Sequence, residues 1–289
     1  MTEAPLLSVV VASFRRLDLL AECLESLKAQ CEKNGAELIL ARAVRESEAE
    51  LARVAKGWRV IAAPMETGVP EIRGIGLAQT NGEWIAITED HCLAAPDWLD
   101  TLLAARGPDV EVLGGRMSNA RRERGIDCGA FFAEYGFYGA RSGKGAPLIT
   151  EANAAYHRSV VTAVAEWARA GSWENVIHDR LYAEGRRFRL VPAARIRQNL
   201  SYGLRGFCRD RFTHGRGYAA TRSAGLSGMR RLLHVLGTPA LPVVLALRIH
   251  RSVDPDERRY WMRGFPAMLL FLSAWALGEA AGYLRGAAR

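Results

Sequence analysis

Within Asn81-Gly-Glu-Trp-Ile-Ala-Ile-Thr-Glu-Asp-His-Cys92, one short apolar run ends on three potential ligands. Asn81-Gly82 is a turn signal, and Trp84-Ile85-Ala86-Ile87-Thr88 has the composition of a buried strand. The run stops at Glu89, Asp90 and His91, and Pro96-Asp97-Trp98-Leu99 follows, with Pro96 suited to opening a helix. Successive side chains of a strand point to opposite faces, so Glu89 and His91 face the same way. A carboxylate and an imidazole so placed can share one divalent cation. The same three residues also fit a solvated acidic loop after a strand, because two ligands alone do not define a metal site.

The preceding hundred residues supply elements able to hold that tip. Leu6-Leu-Ser-Val-Val-Val-Ala12 is a continuous apolar run closing on Ser13-Phe14-Arg15-Arg16, the pattern of a buried parallel strand. Leu20, Cys23, Leu24 and Leu27 have the spacing of one helix face, with Asp18 near its start. Glu37–Ala41 and Trp58–Ala62 read as further strands, Glu46–Ala55 and Val69–Thr80 as helices. Strand and helix alternate, which predicts a βαβ sheet. Gly74 and Gly76 fall inside a helical pattern and at the wrong spacing for a dinucleotide fingerprint.

Beyond residue 100 the sequence predicts a strand at Val110–Gly114 and an aromatic stretch around Phe131, Tyr135 and Tyr138, either core helix or substrate-lining loop. Leu148–Asn153 reads as a return to the sheet. Ser159 fits the N-cap of a helix reaching Trp167. A second helix over Trp173–Glu184 ends at Gly185, and a strand over Phe188–Val191 closes at Pro192.

Four blocks in order resemble the family 2 glycosyltransferases, inverting enzymes of the GT-A fold. Leu7-Ser-Val-Val-Val-Ala-Ser-Phe-Arg-Arg16 is similar to their opening nucleotide-binding strand and loop. Ile72-Arg-Gly-Ile-Gly-Leu-Ala-Gln-Thr-Asn-Gly-Glu-Trp-Ile85 resembles their Ala-Arg-Asn-x-Gly-Leu helix and the strand after it. Glu89-Asp90-His91 stands where they carry Asp-x-Asp. Glu151–Arg158 with Trp173-Glu174, Arg180-Leu181, Gly185 and Val191-Pro192 resembles their acceptor-side half.

The resemblance spans residues 6–200 and implies a mixed, Rossmann-like sheet flanked by helices. It implies a nucleotide-sugar donor held by Ala12, Ser13, Arg15, Arg73, Glu89 and Asp90, with Mg²⁺ or Mn²⁺ on Glu89 and His91. It places Glu174 where the family has its catalytic acid; a helix-starting acid favoured by the macrodipole would also sit there. Inversion proceeds by one in-line displacement and so needs one base on the acceptor side. Three positions depart from the pattern. Arg42-Ala43 replaces an Asp-Asp pair that holds the nucleobase, Glu-x-His replaces Asp-x-Asp, and Gln198-Asn199 stands near the place of a usual histidine. The departures keep a second possibility open, a degenerate relative that binds nucleotide or glycan as a synthase scaffold.

The chain carries a formal net charge of +8, nearly all of it from arginine. Such a surface suits anionic lipid or phosphorylated substrates. No helix-turn-helix, zinc-finger or RNA-binding signature is present, so nucleic acid is not an expected partner. Five widely spaced cysteines without a C-x-x-C pair suit a reducing compartment, and Met1–Leu7 carries no secretory pattern. The division expected is a glycosyltransferase domain over 1–200 and a basic linker with membrane-associated helices over 201–289.

That tail holds two apolar stretches, Leu232–Ile249 and Phe265–Leu284. Spanning a bilayer takes ~20 apolar residues. Arginines load both the connecting loop (Arg251, Arg258, Arg259, Arg263) and the outer flanks (Arg230, Arg231, Arg285, Arg289), so charge does not set a topology. A hairpin lying in or partly entering the cytoplasmic leaflet on anionic lipid is the expectation, with a two-span hairpin or packing on a partner subunit as alternatives. Together these features predict an enzyme at the cytoplasmic face of the cell membrane, acting on a lipid-linked or glycan acceptor. The short tail and the lack of a Gln-x-x-Arg-Trp element argue against a processive polymerase.

Overall fold

The computed structural model describes residues 5–138, 145–223 and 225–285. Arg289, counted above among the flanking arginines, lies outside them. The chain forms two compact units, one of residues 1–118 and 138–199, the other of residues 119–137 and 200–289.

The first unit is built on a mixed eight-stranded sheet. Its strands are β1 (Leu7–Ser13), β2 (Glu37–Ala43), β3 (Arg59–Ala63), β4 (Trp84–Glu89), β5 (Cys92–Ala94), β6 (Val112–Asn119), β7 (Ala154–His157) and β8 (Phe188–Gln198). Their order is β3-β2-β1-β4-β7-β6-β8-β5. β1 pairs in parallel with β2 and β4, as β2 does with β3, whereas β7 runs antiparallel to β4 and β6, and β5 antiparallel to β8. The two central strands of the parallel half, β1 and β4, are buried on both faces, whereas β3 at its edge is mostly not. Every residue of β1 and β4 is buried, which explains why those stretches read as unbroken apolar runs.

The helices of this unit are α1 (Leu17–Lys33), α2 (Glu48–Val54), α3 (Val69–Leu77) and α4 (Trp98–Ala104), followed by α6 (Arg158–Arg169) and α7 (Glu174–Ala183), with α5 (Gly125–Tyr135) belonging to the second unit. α2 starts at a capping box between Ser47 and Glu50. Gly74 lets α3 lie directly on α6: a Cβ there would stand 2.6 Å from the Arg169 nitrogen and 2.7 Å from the Ala165 oxygen. Close helix packing, not phosphate binding, is what that glycine serves.

Three expectations need correction. Leu148–Asn153 does not join the sheet as a strand; Glu151–Asn153 is a 3₁₀ turn, and β7 begins only at Ala154. The Thr150 hydroxyl accepts the Ala152 N–H, and the Asn153 amide donates to the carbonyls of Arg116 and Ala194, so side chains take over the backbone's partners. The N-cap of α6 is His157, whose ring accepts the Ser159 N–H. The last strand does not close at Pro192. It continues to Gln198, burying Ala194, Ile196 and Gln198 in alternation, because a proline removes only one ladder donor.

The second unit is helical: α5, α8 (Leu204–Ser223), α9 (Gly228–Gly237), α10 (Leu241–Ser252) and α11 (Arg258–Arg285). α11 is its central helix, burying Met268, Phe271, Leu272, Ala276 and Tyr283. At Gly278 it approaches α8 so closely that a Cβ would stand 2.1 Å from the Phe212 oxygen. The aromatic stretch of α5 is core: Phe131, Phe132 and Tyr135 are buried.

Candidate active site

At the tips of β1 and β4 the chain folds back on itself around Asp90. The Asp90 N–H donates to the Ala12 carbonyl at 3.1 Å. Its Oδ2 accepts the Ser13 hydroxyl at 2.8 Å and the backbone N–H groups of Phe14 and Arg15 at 2.7 and 2.6 Å. Burial pushes this carboxyl up, but the His91 ring and then the Arg15 and Ser13 donors hold it below the usual carboxylate range. Asp90 therefore shapes the β1–α1 loop. The Arg15 side chain lies outside, its guanidinium 5.2 Å from the Phe14 ring centre.

Arg42 at the end of β2 is fully buried, pairing with Glu46 at 2.5 Å, donating to the Ser13 hydroxyl and to the Arg15 carbonyl, and standing 3.6 Å from Asp90. Where the resemblance has a base-holding acid, this chain has an arginine closed on its own carboxylate four residues later.

One guanidinium connects the remaining acids. Arg73, on α3 and 4% exposed, donates through Nε and Nη2 to Glu89 Oε1 at 3.0 and 2.5 Å. Its Nη1 donates to Glu174 Oε2 at 2.7 Å and to Glu151 Oε2 at 3.1 Å. Glu89 ends β4 and Glu174 opens α7, so two residues 85 positions apart in the chain converge on one cation. Tyr138 donates its hydroxyl to Glu174 Oε1 at 2.7 Å. Burial favours protonating Glu174, yet the Arg73 charge, and after it the Tyr138 hydroxyl, bring it below the ordinary range. It is ionised at neutral pH, the form a base requires.

Glu89 Oε2 faces His91 Nε2 at 3.5 Å, so the two side chains share one side of the strand tip. Among the described residues no group of three or more His, Cys, Asp and Glu side chains is arranged to hold a metal ion. A cation between Glu89 and His91 would take two protein donors, leaving its other positions to oxygens of a bound diphosphate and water, the usual situation for a hard cation on a phosphate substrate.

Reading the sequence missed Glu151, Tyr156, His178 and Tyr138 as members of this cluster. Glu151 carried a usable signal, a lone acid in the otherwise uncharged, strand-like run Leu148–Asn153. Cys23 and Cys92 lie beneath the tip, and burial raises both thiols well above their ordinary value, which leaves them inert.

Comparison with known proteins bears on the fold and the family. The structure of the mannosyltransferase PcManGT from Pyrobaculum calidifontis, in complex with GDP-Man and Mn²⁺, is similar with a TM-score of 0.56 at 15% identity, over 96% of this chain and 88% of that chain. Glucosyl-3-phosphoglycerate synthase from Mycobacterium tuberculosis, in complex with Mn²⁺, UDP and phosphoglyceric acid, gives 0.46 at 15% identity, over 70% and 73%. At 15% identity the likeness to the mannosyltransferase speaks to the fold alone. No curated protein matches the sequence. The family model of glycosyl transferase family 2 covers residues 8–162, from the start of the β1 run into α6 and including Arg73, Glu89 and Glu151. With more than half of its length so matched, the chain belongs to glycosyl transferase family 2.

Proposed function

We propose that the first unit transfers a sugar from a nucleotide-sugar donor to an acceptor hydroxyl with inversion, and that the acceptor is lipid-linked or close to a membrane. The observation that carries this reading is the convergence of Glu89 and Glu174 on Arg73, which gathers a donor-side and an acceptor-side carboxylate within one cluster. Glu174 is the base: ionised, and oriented by the Tyr138 hydroxyl and Arg73, it takes the proton of the attacking hydroxyl. Arg73 orients both acids and places positive charge beside the departing diphosphate. Arg15 stands at the rim of the nucleotide site and the buried Ala12 and Ser13 lie behind it, in a loop kept in shape by Asp90. A divalent cation held by Glu89 and His91 would supply further neutralisation of the leaving group.

The test combines donor binding and turnover. A sugar nucleotide at a hundred times its Kd stabilises the fold by about 2.7 kcal/mol, so thermal shift with a donor panel, with and without Mn²⁺, finds the donor. Glu174→Gln is expected to keep that shift and to lower kcat at least about 100-fold. Unchanged turnover in this variant removes Glu174 from the role. Glu89→Ala and His91→Ala are expected to abolish the Mn²⁺-dependent part of the shift. The scaffold reading is favoured by one observation, the closed Arg42–Glu46 pair at the β2 tip. Donor binding with no turnover across the panel decides for it.

A further inference from the structure

Arg73 holds a third carboxylate to which the proposed reaction gives no work. Glu151, in the 3₁₀ turn before β7, has no solvent exposure. Its Oε1 accepts the Tyr156 hydroxyl at 3.0 Å, and that hydroxyl lies 2.7 Å from His178 Nε2, one turn along α7 from Glu174. Arg73, Glu151, Tyr156 and His178 thus form one buried line from α3 to α7. The ionisable groups acting on Glu151 are Arg73 from α3, Glu89 from β4, Tyr156 from β7 and Glu174 from α7. His178 is reached through Tyr156 and has Asp179 beside it in the chain.

A phenol has one proton and donates it to one neighbour at a time. While Glu151 is ionised it takes that hydrogen bond, and His178 must offer Nε2–H to the phenol oxygen. Once Glu151 is protonated, and with the neutral imidazole carrying its one proton on Nδ1 in place of Nε2, Tyr156 can donate its proton to His178 Nε2 instead. Burial pushes Glu151 up to about 7, against the pull of Arg73 and with the push of Glu174. Burial also lowers His178 to about 4, so the imidazole stays neutral and Glu151 is the member of the line that titrates near neutrality. Ionised Glu151 competes for Nη1, the nitrogen that also holds Glu174.

We propose that Glu151, held by Tyr156 and His178, is a positioning residue that sets how tightly Arg73 grips Glu174. The proposal rests on Glu174 being the base. With Glu151 ionised, Arg73 is shared and Glu174 is the stronger base; with Glu151 neutral, Glu174 is held harder and accepts a proton less readily.

Two measurements on the full chain test it. In the transfer assay, Glu151→Gln is expected to lower kcat by about tenfold, the effect of one unit of base strength, with donor KM unchanged and the near-neutral acid limb of kcat gone. Tyr156→Phe removes a hydrogen bond from ionised Glu151, so its limb moves to higher pH and wild-type kcat is approached in alkali. A loss equal at every pH, or one confined to KM, assigns these residues to packing and overturns the proposal. Independently of turnover, pH-difference infrared spectra should show a carboxyl group titrating near neutrality in the wild type, missing in Glu151→Gln and shifted upward in Tyr156→Phe. A wild type without that band also overturns the proposal. The band in a protein that binds no sugar nucleotide supports the buried line and overturns the transferase reading instead.

Discussion

Arg73 is the residue on which the site depends, because it is the counter-charge at hydrogen-bonding distance from three buried carboxylates. Taking away one partner of a buried ion pair costs about 3–5 kcal/mol, since the remaining charge stays desolvated. In Arg73→Met, Glu89, Glu151 and Glu174 lose that charge together. Without the Arg73 charge, which lowers both, the folded-state pKa values of Glu151 and Glu174 stand above the unfolded ones, and stability is lost as pH rises through them. The variant is therefore expected to be most destabilised at pH 8 and to recover toward pH 5. Urea unfolding at the two pH values reads this directly. Equal destabilisation at both would mean that Arg73 acts through packing. For the wild type the Glu174 contribution has the opposite sign: its lowered pKa gives stability above the ordinary carboxylate range that is lost as pH falls.

How much of this was legible depended on whether a residue's role is local. Glu89 and His91 were visible because alternation at a strand tip is a two-residue property, and their side chains do face each other. Arg73 and Glu174 needed the order of whole blocks, since nothing within ten residues of either points to the other. Glu151 showed in the sequence only as a lone acid, because its meaning as a site residue lies in contacts with Arg73 and Tyr156, which come from two other elements. The same turn hid its own conformation. Leu148–Asn153 has strand composition, and only the bonds made by Thr150 and Asn153, the latter to β6 and β8, turn it into 3₁₀.

At the level of elements, α3 is what carries Arg73 into the cluster, and its position is set by contact with α6 at Gly74. Gly74→Ala forces a methyl group to within 2.7 Å of two backbone atoms of α6. Backbone cannot give way as a side chain can, so the cost is expected to be about 1–3 kcal/mol. It should appear as a lower urea midpoint with unchanged m-value. Gly217, in the interior of α8, makes the contrast: a Cβ there meets nothing within 4 Å. Gly217→Ala is expected to stabilise by about 0.5–1 kcal/mol, because the helix keeps its contacts and the unfolded chain loses freedom. If both variants lose stability equally, the close approach of α3 and α6 is not what Gly74 provides.

For the whole molecule, the second unit bears on where it works. α9 and α10 leave Met229, Leu232, Leu233, Leu236, Val243, Val244 and Leu247 half or more exposed, apart from Leu232 at 48%. Residues 228–252 contain Arg230, Arg231, Arg248 and Arg251 and no acid. The helices 228–252 and 255–285 are long and apolar enough to cross a membrane by composition. Length between charges argues otherwise for the first. From Leu232 to Leu247, between Arg231 and Arg248, a helix rises only ~24 Å, short of the ~30 Å hydrocarbon core. The second helix uses one face to bury Met268, Phe271, Leu272 and Ala276 inside its own unit. We therefore expect the α9–α10 face to lie in the headgroup region of anionic lipid, the arginines paired with phosphate and the leucines inserted. Co-sedimentation should occur with vesicles rich in phosphatidylserine and weaken with salt, since the attraction acts over a Debye length. Leu233→Ser with Leu236→Ser should weaken it at every salt concentration while leaving the unfolding midpoint unchanged, as both side chains are exposed. Binding to zwitterionic vesicles that resists both salt and alkaline carbonate would mean that the helices span, and no binding with concentration-dependent dimerisation would assign the face to a second copy of the chain.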